Sequence, residues 1–360
     1  MPDLARESGP IDYDHVHEGH SVKIGGIQLQ PGEKHVWDMP VAKSALKQVT
    51  VPCTALRGRN GGPTLAITAG CHPMELNGIL ATVRLAAALD PEELSGTVVI
   101  VHVQNVMGFE FKRGHTSPLD GINMGKAFPI VDHIVEDTGA ASHQGRSLTY
   151  LAAETIFEQV ISHADFLIDM HGGELHEWLA PNIEILPIGK SDVDERTRSF
   201  ARAFGFDTIW EVPEGTIPEM PSYPGRGSAV VEAMHRGIPA VFCEVGSEGR
   251  LEESLVDFTV KSVLNVMRTY RMYPGEAEQR PAQVLSGGHV LFASRAGLFL
   301  NYSKPAQRLT PGQLLGRIID LRGEVVEEIL APSEGVITNT ITLGVANPGD
   351  MLYVIGDVKR

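Results

Sequence analysis

The chain has 360 residues, more than one typical hydrophobic core accommodates, so one large domain and a smaller one are expected. Its formal charge of −15 argues against a duplex-binding surface, since phosphate affinity rests on clustered Lys and Arg, and no run reaches the ~18–20 apolar residues of a membrane span. Met1-Pro2-Asp3-Leu4-Ala5-Arg6-Glu7 lacks the basic and apolar regions of a leader, and Cys53, Cys71 and Cys243 form no spaced framework, so a cytoplasmic protein without nucleic-acid or membrane partners is expected.

Residues 1–21 carry His15, His17 and His20 among acids and glycines, without apolar periodicity, and read as a surface lead-in. From 21 to 59 the glycine-punctuated alternation, as in Val22-Lys23-Ile24 and Gln48-Val49-Thr50-Val51, predicts antiparallel strands ahead of the main sheet. Thr64-Leu65-Ala66-Ile67-Thr68-Ala69 is too short for a helix and reads as a buried strand. It runs into Gly70-Cys71-His72-Pro73-Met74-Glu75, where Pro73 suits the first turn of a helix. His72 and Glu75, three apart at this strand-to-helix turn, can converge on one metal ion. Taken alone, the pair better fits a blander reading: a histidine lining a helix start and an acid favoured by the helix dipole.

Leu76, Ile79, Leu80, Val83 and Ala87 then recur at helical spacing up to Asp90-Pro91, with Gly78 marking a close backbone approach. Val98-Val99-Ile100-Val101-His102-Val103 is a second buried strand, so strand, helix and strand imply a right-handed parallel crossover. Residues 105–129 are rich in Gly, Pro and polar residues and too long for an ordinary connection, which predicts a functional loop. A helix is expected over 147–162, its apolar face formed by Leu148, Leu151, Ala152, Ile156, Val160 and Ile161. Phe166-Leu167-Ile168-Asp169-Met170-His171-Gly172-Gly173 is again a short apolar strand closing on a histidine and glycines. A helix over 227–236, closed by Gly237, leads into Ala240-Val241-Phe242-Cys243-Glu244-Val245-Gly246, and a last helix runs over 253–271. After a linker at 273–281, short β-branched runs punctuated by Gly and Pro predict an all-β module of about 80 residues. The expected division is a lead-in and β-rich segment over 1–50, a catalytic α/β domain over 51–275 and the all-β domain over 281–360.

Three apolar strands of one α/β pattern thus end in His72/Glu75, His171 and Glu244, each beside a glycine. In open α/β sheets ligands bind beyond the carboxyl ends of the strands. Singly, His171 is a satisfied histidine near a sheet edge and Glu244 a solvated loop acid; jointly, their coincidence favours a metal site.

With those residues in place, the chain resembles the succinylglutamate desuccinylase/aspartoacylase family, whose catalytic domain is similar to the zinc carboxypeptidases, over roughly residues 20–360. The likeness rests on Gly70-Cys71-His72-Pro73-Met74-Glu75, Asp120-Gly121-Ile122-Asn123-Met124-Gly125-Lys126-Ala127-Phe128-Pro129, Ile168-Asp169-Met170-His171-Gly172-Gly173 and Glu244-Val245-Gly246. It implies an α/β fold with a carboxypeptidase-like mixed sheet flanked by helices, and a small C-terminal barrel-sandwich-like β domain, which lacks a modifiable lysine in a biotinyl or lipoyl attachment motif and is therefore expected to be structural or to cover the pocket. It further implies one zinc ion per chain held by His72, Glu75 and His171, with Glu244 as general base, and a homo-oligomer. The substrate loop departs from the family pattern: Gly125-Lys126 stands where Asn-Arg is usual, and His115 replaces the arginine before Thr116-Ser117-Pro118, with Arg113 two residues upstream. Arginine clamps carboxylates bidentately, whereas lysine offers a point charge and histidine one donor. Arg113, His115, Asn123 and Lys126 are therefore the candidate substrate-binding residues, for a small-molecule N-acyl amine or N-acyl amino acid. Two rival readings are a carboxypeptidase for short peptides and a zinc-holding binding protein without turnover.

Overall fold

Apolar runs too continuous to face water on either side become the centre of one mixed sheet, thirteen-stranded among the described residues. The computed structural model describes residues 21–130, 147–223 and 225–359; the lead-in with His15, His17 and His20 lies outside them. No helix among the described residues is long and apolar enough to cross a membrane.

The sheet starts with β1 (Glu33–Lys43) and β2 (Gln48–Arg57), an antiparallel pair. These strands were expected ahead of the main sheet; instead they form its edge, because β2 also pairs with the first crossover. That crossover is β3 (Asn60–Ala69), α1 (Leu76–Ala88) and β4 (Ser95–Val101), with β3 and β4 parallel. After a short α2 (Val106–Glu110) come α3 (Leu148–Gln159), β5 (Phe166–His171), β6 (Asn182–Ile185), α4 (Ser191–Arg202) and β7 (Thr208–Glu211). Then α5 (Ala229–His235), β8 (Ala240–Glu244) and α6 (Glu253–Thr269) complete the α/β part. Across the sheet the order is β1, β2, β4, β3, β5, β8, β6, β7.

Alternate residues of the central strands feed two apolar layers. Leu65, Ile67 and Ile168 pack with Leu85 of α1, Phe200 of α4 and Val263 of α6, while Ala66 and Leu167 pack with Ile156 of α3 and Val230 of α5. Helices thus cover both faces.

The face α1 buries is only partly the one its large apolar residues suggest: Ile79 is in the core and Leu76 packs against it. Gly78, Ala81, Thr82 and Leu85 are buried, whereas Val83 is 48% exposed and Ala87 is exposed. A Cβ on Gly78 would stand 2.8 Å from Met170 Cβ, so the small residues let the helix lie directly on β5. The helix also starts at Leu76, with Glu75 at its N-cap, so Pro73 sits in the preceding turn rather than in the first helical turn.

The C-terminal part is all β. Its strands β9 (Gln283–Phe292), β10 (Gly335–Ile341) and β11 (Met351–Val358) continue the large sheet: β9 pairs parallel with β7, then β11 and β10 follow antiparallel. A separate four-stranded sheet packs against them around Phe299, Leu315, Ile318 and Tyr353.

Candidate functional site

β3, β5 and β8 are adjacent and parallel, so their carboxyl ends share one rim. Glu244 stands in register with His171, and Met170 with Ala69 on the other side. Beyond Ala69 the chain turns through His72, whose carbonyl accepts from the Glu75 N–H at 3.2 Å, delivering both side chains over the end of β5. Gly172 lets the loops after β5 and β8 touch, since a Cβ there would stand 2.2 Å from the Val245 carbonyl oxygen.

The structure brings His72, Glu75 and His171 together. Nδ1 of His72 lies 2.9 Å from Glu75 Oε1, Nδ1 of His171 lies 3.1 Å from Glu75 Oε2, and the ring centroids are 4.9 Å apart. The outer nitrogens are also held: His72 Nε2 faces Asn123 Oδ1 and His171 Nε2 faces Asp169 Oδ2, each at 3.1 Å. Asp169 in turn accepts from Thr68 Oγ1 at 2.6 Å and Gln104 Nε2 at 3.0 Å. An imidazole that gives its outer N–H to an oxygen keeps the inner nitrogen's lone pair free for a metal. The close His171–Glu75 pair is not aligned as a hydrogen bond, so the buried Oε2 has no hydrogen-bond partner among the described residues. A cation shared by these donors would satisfy both atoms, and the set of two nitrogens and a carboxylate fits zinc. Burial pushes the Glu75 carboxyl up, but the two imidazoles outweigh it and hold it at about 2. Burial lowers His171, yet Glu75 and Asp169 carry it well above the usual histidine range. Glu244 is raised well above the carboxylate range, chiefly by burial.

A third imidazole joins from the loop. The His115 ring lies 4.5 Å from that of His72, and among the described residues His72, Glu75 and His115 offer ligand atoms within 4.8 Å of one another. Burial, then the neighbouring His72, lowers His115 to about 4, so it is neutral at pH 7 and offers no charge to a substrate. Behind it the buried Glu174 approaches His115 Nδ1 at 3.6 Å, and burial with Glu75 raises its carboxyl to about 8. The loop is anchored by Asp120, which accepts from the Thr149 N–H at 3.0 Å and hydroxyl at 2.8 Å, and by a bridge between Thr116 and Asn123.

His72, Glu75, His115, Asp169, His171 and Glu244 line a cavity of about 510 Å³. Of the expected substrate-binding residues, His115, Asn123 and the exposed Lys126 reach it, whereas Arg113 is exposed and outside the lining. Asn123 is engaged as the oxygen partner of His72 and of the Gly125 N–H, at 2.8 Å, which makes it a positioning residue. Two features went unread in the sequence. Asp169 lies two positions before His171 on one strand, and that spacing alone put both on one face. Glu184 is a lone acid in the apolar run Asn182-Ile183-Glu184-Ile185-Leu186, itself a signal. The C-terminal part does cover the pocket, as its resemblance implied, through Val290, Met351 and Val354, residues that no local pattern could name because the wall depends on how distant strands pair.

Residues 61–270 match the catalytic domain of succinylglutamate desuccinylase/aspartoacylase. The chain is 24% identical over 323 residues, 88% of each protein, to N-alpha-acetyl-L-2,4-diaminobutyric acid deacetylase of Halomonas elongata. Among solved structures it is similar to the product-bound ectoine utilization protein EutE of Ruegeria pomeroyi, with a TM-score of 0.79 and 22% identity over 92% of this chain and 98% of that one. It is also similar to a succinylglutamate desuccinylase of a Silicibacter species, with a TM-score of 0.78 and 23% identity over 92% and 96%. At these identities the structures speak to the fold, which is that of the deacylases, mixed sheet and C-terminal β region included.

Proposed function

Since the chain belongs to the succinylglutamate desuccinylase/aspartoacylase family, we propose that it is a zinc-dependent deacylase hydrolysing the amide of a small N-acyl amine or N-acyl amino acid. The observation that carries this reading is the convergence of the His72 and His171 Nδ1 atoms on the two oxygens of buried Glu75, each outer nitrogen already held by an oxygen. His72, Glu75 and His171 would hold one zinc ion and leave a position open, as in catalytic rather than structural sites. When bound, the ion supplies Lewis acidity toward the scissile carbonyl, lowers the pKa of a water toward ~7 and counters the burial of the carboxylates around it.

The chain's own residues divide the remaining work. Asp169 and Asn123 fix the tautomers and planes of the two imidazoles. Glu244, beside His171 on the rim, takes a proton from the attacking water as the C–O bond forms. It returns that proton to the nitrogen as the C–N bond breaks, leaving a carboxylic acid and an amine. His115, neutral and 4.5 Å from the His72 ring, is placed to donate an N–H to the developing oxyanion, and Lys126 supplies a positive charge on the lining.

The test is elemental analysis of the purified protein, with about one zinc per chain expected, and a screen of N-acyl amino acids, N-acyl amines and dipeptides. Glu244→Gln should keep the metal and lose about 10²- to 10⁴-fold in kcat/KM. Release of amine at equal rates by wild type and Glu244→Gln for every compound overturns the reading.

A further inference from the structure

Below the row of the rim residues, the sheet presents a second row of side chains to the same cavity. Strand register places Asp169, Phe242, Glu184 and Trp210 side by side across β5, β8, β6 and β7, one step beneath His171, Glu244 and Asn182. Residues two apart on a strand share a face, and all seven line the cavity.

Glu184 is the anomaly of this row. It is 3% exposed, has no ion-pair partner among the described residues, and accepts a 2.6 Å hydrogen bond from the Tyr223 hydroxyl. Burial raises its carboxyl to about 7. An uncompensated carboxylate in such a place is costly, so its position on the cavity lining favours a positive group that enters with a ligand. A second, independent observation agrees. Asn182, also 3% exposed, donates its Nδ2 to the Ala180 carbonyl at 3.0 Å, which fixes the amide and leaves Oδ1 with no hydrogen-bond partner among the described residues. Glu184 and Asn182 Oδ1 are both acceptors, and the hydroxyl of Tyr223 is already committed to Glu184. Around them stand the aromatic rings of Trp210, Tyr223 and Phe242, whose faces attract cations. No arginine lies among the described lining residues to hold a carboxylate.

We propose that this second row is a cation subsite: the substrate is an N-acyl amine carrying a second, positively charged nitrogen, paired with Glu184 and Asn182 Oδ1 against Trp210, Tyr223 and Phe242. The proposal rests on the deacylase reading for which bond is hydrolysed, whereas the subsite itself requires only the cavity. Strand spacings put Glu184 on the order of 10 Å from the histidine on the rim, so a short aliphatic spacer separates the amide from the cation.

The zinc-reconstituted protein is offered three N-acetyl compounds of equal length: a diamine ending in ammonium, its methyl-terminated isostere and its carboxylate-terminated counterpart. The ammonium compound is expected to exceed the methyl isostere in kcat/KM by about tenfold or more, and Glu184→Gln to erase that preference while the metal content is unchanged. Tyr223→Phe, a milder change should Glu184→Gln misfold, is expected to reduce it. Equal rates for ammonium and methyl compounds, or a preference for the carboxylate, overturn the subsite. If none of the three is hydrolysed, the deacylase reading is what has failed, and calorimetry with n-butylammonium decides the subsite separately. Binding to wild type that weakens about tenfold or more in Glu184→Gln supports it; no binding to wild type overturns it.

Discussion

Asp169 shows how much of the proposed metal site lies outside the three assigned ligands. Its carboxylate collects His171 Nε2, the Thr68 hydroxyl and the Gln104 amide, so the imidazole is held in one plane and one tautomer. Asp169→Asn keeps the shape but removes the charge and turns one acceptor oxygen into a donor. A 10- to 100-fold weaker zinc affinity is therefore expected, on the order of what such outer partners contribute, measured by competition with a chelator. The proximity of His72, Glu75 and His171 was legible in the sequence because each follows an apolar strand and precedes a backbone break, which is local information. The neutrality of His115 was not legible. It depends on how far folding removes the loop's imidazole from water and on a neighbour 43 positions away in the chain, as the numbers 72 and 115 show. Nor was the displacement of Arg113 from the cavity, since a charge two residues from a site residue can face either way on a loop.

At the scale of elements, apolar spacing predicted that 76–88 is helical and that Ile79 faces the core, but it placed Val83 and Ala87 on the buried side, where they are exposed. Hydrophobic periodicity weighs large residues, whereas contact with β5 is set by Gly78, where a helix can come closest. Gly78→Val would push the helix off Met170 and is expected to destabilise by about 1–3 kcal/mol, read as a lower Tm, with zinc affinity falling as Glu75 at the helix N-cap moves. His102, just past β4, couples the same helix to the sheet. It lies 2.9 Å from the Thr54 hydroxyl through Nε2 and 2.9 Å from the Thr82 hydroxyl through Nδ1. Burial lowers it from 6.5 to about 4 in the folded protein. Between those values the unfolded chain binds the proton and the folded one does not, so stability falls as pH drops from 6.5 towards 4 and this contribution levels off below. Thermal melts of metal-free protein across that window should show a shallower decline for His102→Gln than for wild type.

For the whole molecule, the sequence separated an α/β part from a β-rich tail through the composition change near 273–281, and the tail is indeed all β with its own apolar cluster. What composition cannot show is that β9 enters the large sheet beside β7 or that the tail walls the cavity, because strand pairing between distant segments leaves no local pattern. Four residues of β7 are in register with Gln283–Ser286, and the Trp210 indole donates to the Gly287 carbonyl at 2.9 Å. Ending the chain at residue 280 would strip β7 of a neighbour and leave an open, apolar edge. Such a truncated protein is expected to elute as aggregate in size-exclusion chromatography rather than as a smaller folded species. The same ladder has a consequence for movement. The tail cannot swing as a tethered carrier arm does, since rotation would tear backbone amides from their carbonyls along the whole join. Traffic into and out of the chamber must therefore pass through its turns and side chains, while the two parts of the chain travel as one body.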